Sequence, residues 1–154
     1  MIFIGCDPGK KGGLAFIYQT DEFTVTRSVP FNEEEYAAIF RELKKVNESM
    51  ACCIERVSAM PKQGVVSMFT FGQNYGWILG NLDAHEIPYE TVTPKKWKAE
   101  FGLSGEKASS IEVCKHLFPH VSLLPNERCK KDSDGMAEAL LIAEYARRKF
   151  GGVK

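Results

Sequence analysis

The run Ile2-Phe3-Ile4-Gly5-Cys6 ends abruptly at Asp7-Pro8-Gly9. An apolar, β-prone stretch this short has no polar face to offer solvent. It reads as a strand buried in the middle of a sheet, stopped by the backbone limits of Pro and Gly. Residues 50–54 form a second compact apolar run of this kind, with an acid, Glu55, at or near its end.

The segments between and beyond fill in the plan. After Gly12-Gly13, residues 14–18 form another strand, and residues 23–29 alternate Phe, Val, Arg and Val with the period of a half-exposed one. The short turns make the first three strands an antiparallel meander. Asn32 N-caps a helix to about residue 46, with Glu33, Glu34 and Glu35 in its first turn and Ala37, Ile39, Phe40 and Leu43 as its apolar stripe. Residues 63–85 have helical spacing and carry Gly72, Gly76 and Gly80 in one row. Each glycine costs about 1 kcal/mol of helix propensity relative to alanine. The row therefore predicts a close approach, to the sheet ahead of a subunit interface or a DNA backbone. The order is completed by a strand at 88–92, a helix begun by Thr93-Pro94, a helix over 106–117 and a final helix from Asp134 to about Phe150. Such alternation gives an α/β fold, with a mixed five-stranded sheet flanked by helices in a single domain over residues 1–154.

A chain of 154 residues, 44% hydrophobic and 26% charged, buries enough apolar surface for one domain without disulfides or a structural metal. The five cysteines (Cys6, Cys52, Cys53, Cys114, Cys129) show no zinc-ligand spacing and predict reduced thiols. No apolar run is long enough to span a bilayer and the N-terminus lacks signal-peptide features, so no membrane partner and a cytoplasmic location are expected. Twenty Lys and Arg balance twenty Asp and Glu, and net charge makes no case for nucleic acid. If bound cations neutralised four carboxylates, however, twenty basic residues would face sixteen acids. The bases also cluster, at Lys95, Lys96 and Lys98 and again at Arg128, Lys130 and Lys131.

Four acids stand out. If the strands ending in Asp7 and Glu55 are parallel neighbours, both acids lie at the sheet edge where open α/β sheets place their ligands. Asp134 and Glu138, at i and i+4, project from one face of the last helix, and the apolar stripe around them turns that face inward. Taken singly, a strand-end Asp before Pro-Gly is as much a turn former, and a helical acid pair as much a solvated one. Glu55 is harder to dismiss, because an unpaired charge in an apolar strand costs several kcal/mol. Four acids in one cleft repel one another unless cations occupy it, and hard oxygen ligands select magnesium, or manganese in its place. Two such ions suit an in-line phosphodiester displacement.

In these stretches the sequence resembles the RuvC family of Holliday-junction resolvases, within the RNase H-like superfamily. The matching residues are Ile4-Gly5-Cys6-Asp7-Pro8-Gly9, Ile54-Glu55-Arg56-Val57, Phe71-Gly72-Gln73-Asn74-Tyr75-Gly76, Val92-Thr93-Pro94 with Trp97-Lys98, and Asp134-Gly135-Met136-Ala137-Glu138-Ala139-Leu140. They keep the family's order and span nearly the whole chain. Met60-Pro61-Lys62-Gln63-Gly64, Leu103-Ser104-Gly105 and Glu138-Ala139-Leu140-Leu141-Ile142-Ala143 point to its phage and chloroplast branch. The resemblance implies an RNase H-like fold and a homodimer that binds a four-way DNA junction and nicks it symmetrically with magnesium. It puts Asp7, Glu55, Asp134 and Glu138 in the catalytic, metal-holding positions.

For DNA contact the same resemblance, together with the basic clusters, nominates Lys62, Lys95, Lys98, Lys107 and Arg56. Arg56 is equally suited to a structural ion pair. Two departures matter. Bacterial members place their last two acids three apart, which here selects Gly135, so Asp134 takes the position and Asp132 is the reserve. They also carry an aromatic shortly after the Glu, where this chain has Ser58, Ala59 and Met60, which leaves junction wedging to Met60, to Phe69 or to another device. Trp97 is expected in the core. Cleavage of RNA–DNA hybrids, non-cleaving junction binding, and nucleotide binding through Asp7-Pro8-Gly9-Lys10-Lys11 are the competing readings.

Overall fold

The computed structural model describes residues 1–58, 64–103 and 107–152. Strands β1 (Ile2–Asp7), β2 (Gly13–Gln19) and β3 (Thr24–Pro30) form the antiparallel meander, followed by helix α1 (Glu33–Lys45). Strand β4 (Met50–Glu55), helix α2 (Val65–Ala84) and strand β5 (Tyr89–Val92) come next. Helices α3 (Pro94–Glu100), α4 (Lys107–Leu117) and α5 (Asp134–Phe150) complete the chain. The five strands lie in the order β3-β2-β1-β4-β5, with β1, β4 and β5 mutually parallel. The expected mixed sheet is therefore present, its two most apolar strands adjacent at the centre.

Strand parity decides which face each side chain meets. Ile2, Ile4 and Cys6 of β1 join Cys52 and Ile54 of β4 in a core closed by Tyr36, Phe40 and Leu43 of α1 and Ile78 and Leu82 of α2. Phe3, Ala51 and Cys53 point the other way, into a core built around α5 with Trp97 of α3 and Cys114 of α4. Asp7 and Glu55 have the parity of this second face. The predicted caps are in place: the Asn32 side chain accepts from the Glu35 amide, and Thr93 from that of Lys96.

Helix α5 is buried without interruption from Gly135 to Ala146, because it lies across the sheet centre rather than at its margin. Glycine permits this. A Cβ at Gly5 would stand 2.2 Å from both the Ala139 carbonyl oxygen and the Ala143 nitrogen. One at Gly135 would stand 2.0 Å from the Lys11 carbonyl oxygen and 2.5 Å from Gly12 Cα. The helix thus rests directly on the β1 backbone and on the turn between β1 and β2.

The glycine row of α2 does not pack against the sheet, the first of the approaches expected for it. A Cβ at Gly72, Gly76 or Gly80 would meet nothing within 4 Å. The inward face of the helix is Asn74, Ile78 and Leu82, and positions two residues away project about 200° round the axis, toward solvent. The sheet makes no close approach to these glycines. Among the described residues, no helix is long and apolar enough to cross a membrane.

Candidate active site

Asp7 ends β1 and Glu55 ends β4. The parallel register Cys6↔Ile54 puts them one step further on, at neighbouring C-terminal strand ends about 4.8 Å apart in backbone spacing. Asp7 Oδ1 accepts a hydrogen bond of 3.2 Å from the Gly9 amide, so the acid shapes the turn as well as facing the site. Across this edge, the contact of Gly135 with Lys11 and Gly12 fixes the first turns of α5. Asp7, Asp134 and Glu138 consequently line one cleft of about 530 Å³, together with Lys10, Lys11 and Lys131.

Glu55 sits beside this cleft, beneath α3. Its Oε2 accepts a 2.7 Å hydrogen bond from the indole Nε1 of Trp97, itself fully buried. Burial raises the Glu55 carboxyl above the ordinary carboxylate range and the Glu138 charge adds to the rise, while the Trp97 hydrogen bond and the Lys98 charge oppose it. Glu138 is 9% exposed. Its Oε1 accepts from Lys98 Nζ at 3.0 Å and from the Ser110 hydroxyl at 3.3 Å. The Lys98 ammonium also lies 5.1 Å from the centre of the Trp97 ring.

All four acids named from sequence therefore lie near one sheet edge, three of them lining the cleft and Glu55 outside its lining, close enough to Glu138 to feel its charge. Asp132 lines the same cleft but is ion-paired with Lys115. Gly135, where three-residue spacing would put an acid, has no room for any side chain. Of the basic candidates, Lys98 is turned inward to Glu138, whereas Lys95 and Arg56 are exposed. Phe69 is 68% exposed on α2. Met60, Lys62 and the Lys107 side chain lie outside the described residues. Sequence reasoning did not connect Trp97 with Glu55 or Ser110 with Glu138. The link runs through pairing: Glu55↔Val92 sets β5 beside β4, and α3 begins just after Val92, carrying Trp97 back over Glu55.

The donors suit a hard divalent cation, being carboxylate oxygens with no sulfur or imidazole among them. The Lys98 ammonium already offsets the charge of Glu138. Among the described residues, no three ligating side chains already converge as a metal site, and Glu138 is engaged by Lys98.

No family model and no curated protein matches this sequence. Among solved structures it is similar to RuvC of Thermus thermophilus, with a TM-score of 0.60 and 16% identity over 100% of this chain and 99% of that one. It is similar to the same organism's RuvC in complex with a Holliday junction substrate, with a TM-score of 0.59 and 14% identity over 100% and 99%. The yeast mitochondrial Holliday junction resolvase Ydc2 follows with a TM-score of 0.55 and 17% identity, over 94% of this chain and 77% of that one. The chain shares their fold, the RNase H-like architecture expected from sequence.

Proposed function

We propose that this chain, built on the RuvC fold, is a metal-dependent endonuclease that resolves four-way DNA junctions by paired nicks. The observation that supports the reading is that Asp7 and Glu55 end adjacent parallel strands while Asp134 and Glu138, from the helix crossing them, share the cleft that Asp7 lines. In this reading the four carboxylates hold magnesium, with manganese able to replace it. Asp134 is taken as the third acid, because it shares one face of α5 with Glu138 and lines the cleft beside Asp7. Ions held by these carboxylates would supply charge neutralisation and Lewis-acid chemistry for phosphodiester hydrolysis. Lys10, Lys11 and Lys131 at the cleft draw in and orient the phosphodiester backbone, and the exposed Lys95 is a further phosphate contact in this reading. Trp97 holds Glu55 in one rotamer through the indole hydrogen bond.

The active form in this proposal is a homodimer joined through α2. Its outward face carries Val65 and Val66, both at least 80% exposed, then Phe69, Gly72, Gly76 and Gly80. A face bare of side chains over two helical turns suits a second helix backbone approaching closely, and a two-fold dimer suits a junction of near two-fold symmetry. Phe69, at one end of that face, is exposed for packing on junction bases.

The experiment is incubation with a labelled four-way junction, an RNA–DNA hybrid and a linear duplex, with and without magnesium. Symmetric nicks confined to the junction and dependent on the metal are expected. Degradation of the hybrid would sink the junction assignment, and nicking unaffected by chelator would sink the role of the carboxylates.

A further inference from the structure

Lys98 is an unusual lysine. It sits at the C-terminal end of a short helix, yet its side chain is only 20% exposed and its ammonium is 3.0 Å from a carboxylate that is itself 11% exposed. A lysine in that position ordinarily extends its charged end into water. Three contacts hold it inward: the Glu138 carboxylate, the Trp97 ring beneath it, and Ser110 bonding the same Glu138 oxygen. Trp97 also bonds Glu55, so the lysine touches Glu138 directly and Glu55 through the indole.

We infer that Lys98 is a tethered counter-ion that competes with divalent metal for Glu138 and is drawn off by a DNA phosphate, so that metal and DNA bind cooperatively. This rests on the metal-site reading above. The physical case is charge bookkeeping in a poorly solvated place. Glu138 and Glu55 raise one another's energy when both are ionised, and the ammonium offsets that repulsion. A divalent ion arriving at Glu138 brings two charges to the same oxygens, and the ammonium beside it then becomes a like charge at close range. It needs another anion. Its flexible four-carbon stem lets the ammonium swing toward the cleft mouth, where the cleft-lining Lys10, Lys11 and Lys131 would gather phosphate. Metal without DNA must break the ion pair with nothing to receive the lysine, whereas metal with DNA exchanges one anion for another. By linkage each ligand then raises the affinity for the other by the same factor.

The test measures manganese binding directly, by calorimetry and by the manganese spin-resonance signal. Wild type, Lys98→Met and Lys98→Arg are compared, each with and without a junction whose scissile phosphates are uncleavable. Lys98→Met keeps the apolar stem on Trp97 and removes the charge. It should bind manganese roughly tenfold more tightly than wild type in the absence of DNA, the factor expected for one lost charge-assisted hydrogen bond. Lys98→Arg keeps the competing charge and should stay near wild type. Junction DNA should raise manganese affinity more in wild type than in Lys98→Met. Equal or weaker manganese binding by Lys98→Met, or equal enhancement by DNA in both proteins, overturns the inference while leaving the metal site standing. No manganese binding by any of the three proteins, or binding unchanged in Glu138→Gln, removes the metal-site reading and this inference with it. Thermal melts of each variant identify a loss of fold, and Lys98→Gln repeats the comparison if Lys98→Met is unfolded.

Discussion

Replacing Gly135 with alanine tests how α5 is held over the sheet, and the same substitution at Gly80 supplies the contrast. At Gly135 the added methyl would lie 2.0 Å from the Lys11 carbonyl oxygen, 2.5 Å from Gly12 Cα and 2.7 Å from Gly12 C, all backbone atoms with no rotamer to turn away. Relief to even 3.0 Å requires about 1 Å of movement between the first turn of α5 and the β1–β2 turn. Overpacking of this kind costs typically 1–3 kcal/mol, and the backbone clash puts it at the upper end, about 3 kcal/mol. Better helix propensity returns under about 1 kcal/mol. A net loss of about 2 kcal/mol lowers Tm by roughly 4–8 °C for a chain of this size. At Gly80 the methyl meets nothing, so only the propensity gain remains, and Tm should rise by a few degrees, about 1–4 °C. Scanning calorimetry of both variants, at concentrations low enough to keep the chain monomeric, gives the two signs. Because the clash pushes Asp134 and Glu138 away from Asp7, Gly135→Ala should also weaken manganese binding. A Gly135→Ala protein as stable as wild type would refute direct seating of the helix on the turn, and with it the account of how the acids are brought together.

Trp97→Phe should destabilise the protein by about 1.5–3 kcal/mol at neutral pH, the range for a hydrogen bond to a charged group. The sign with pH is defined. Glu55 is raised in the folded state, so the folded protein holds that proton more tightly than the unfolded chain, and stability falls as pH climbs from the ordinary carboxylate value through the raised one. The Trp97 bond opposes the rise, so its loss should widen the gap from wild type with increasing pH. Denaturation in chelator at about pH 4 and about pH 8 checks this, and a constant gap would count against it. Asp7→Asn and Glu55→Gln should each slow junction cleavage by at least about a hundredfold while leaving junction binding in place, measured by gel shift and single-turnover cleavage. Gly76→Trp should convert a dimer to a monomer in sedimentation, with the isolated fold retained by circular dichroism.

Much of this molecule was readable before folding was considered. Strand parity and the Pro-Gly stop put Asp7 at a strand end, and the apolar run before Glu55 did the same for a second acid. The i, i+4 spacing put Asp134 and Glu138 on one helix face. Those inferences depend on local periodicity, which a sequence displays directly. The glycine row of α2 was expected first against the sheet because composition gives spacing but not which way the row faces. Its inward stripe of Asn74, Ile78 and Leu82 leaves the glycines to solvent. Asp132 and Asp134 could not be ranked by spacing alone. Both line the cleft, Asp132 with an ion pair to Lys115 and Asp134 in the first turn of α5.

The sequence by itself determined the elements, the Asn32 and Thr93 caps and the placing of Asp7 and Glu55 at strand ends and of Asp134 and Glu138 on one helix, because each rests on chemistry within a few residues. Only the tertiary structure decided what surrounds those acids. Trp97 reaches Glu55 across 42 positions and Lys98 reaches Glu138 across 40, through the pairing of β4 with β5 and the docking of α3 against α5. Separations of that length leave no local signal. The lysine therefore reads as a DNA contact in sequence and is found on a buried carboxylate in the fold, because strand order, which no short motif encodes, sets its nearest charge.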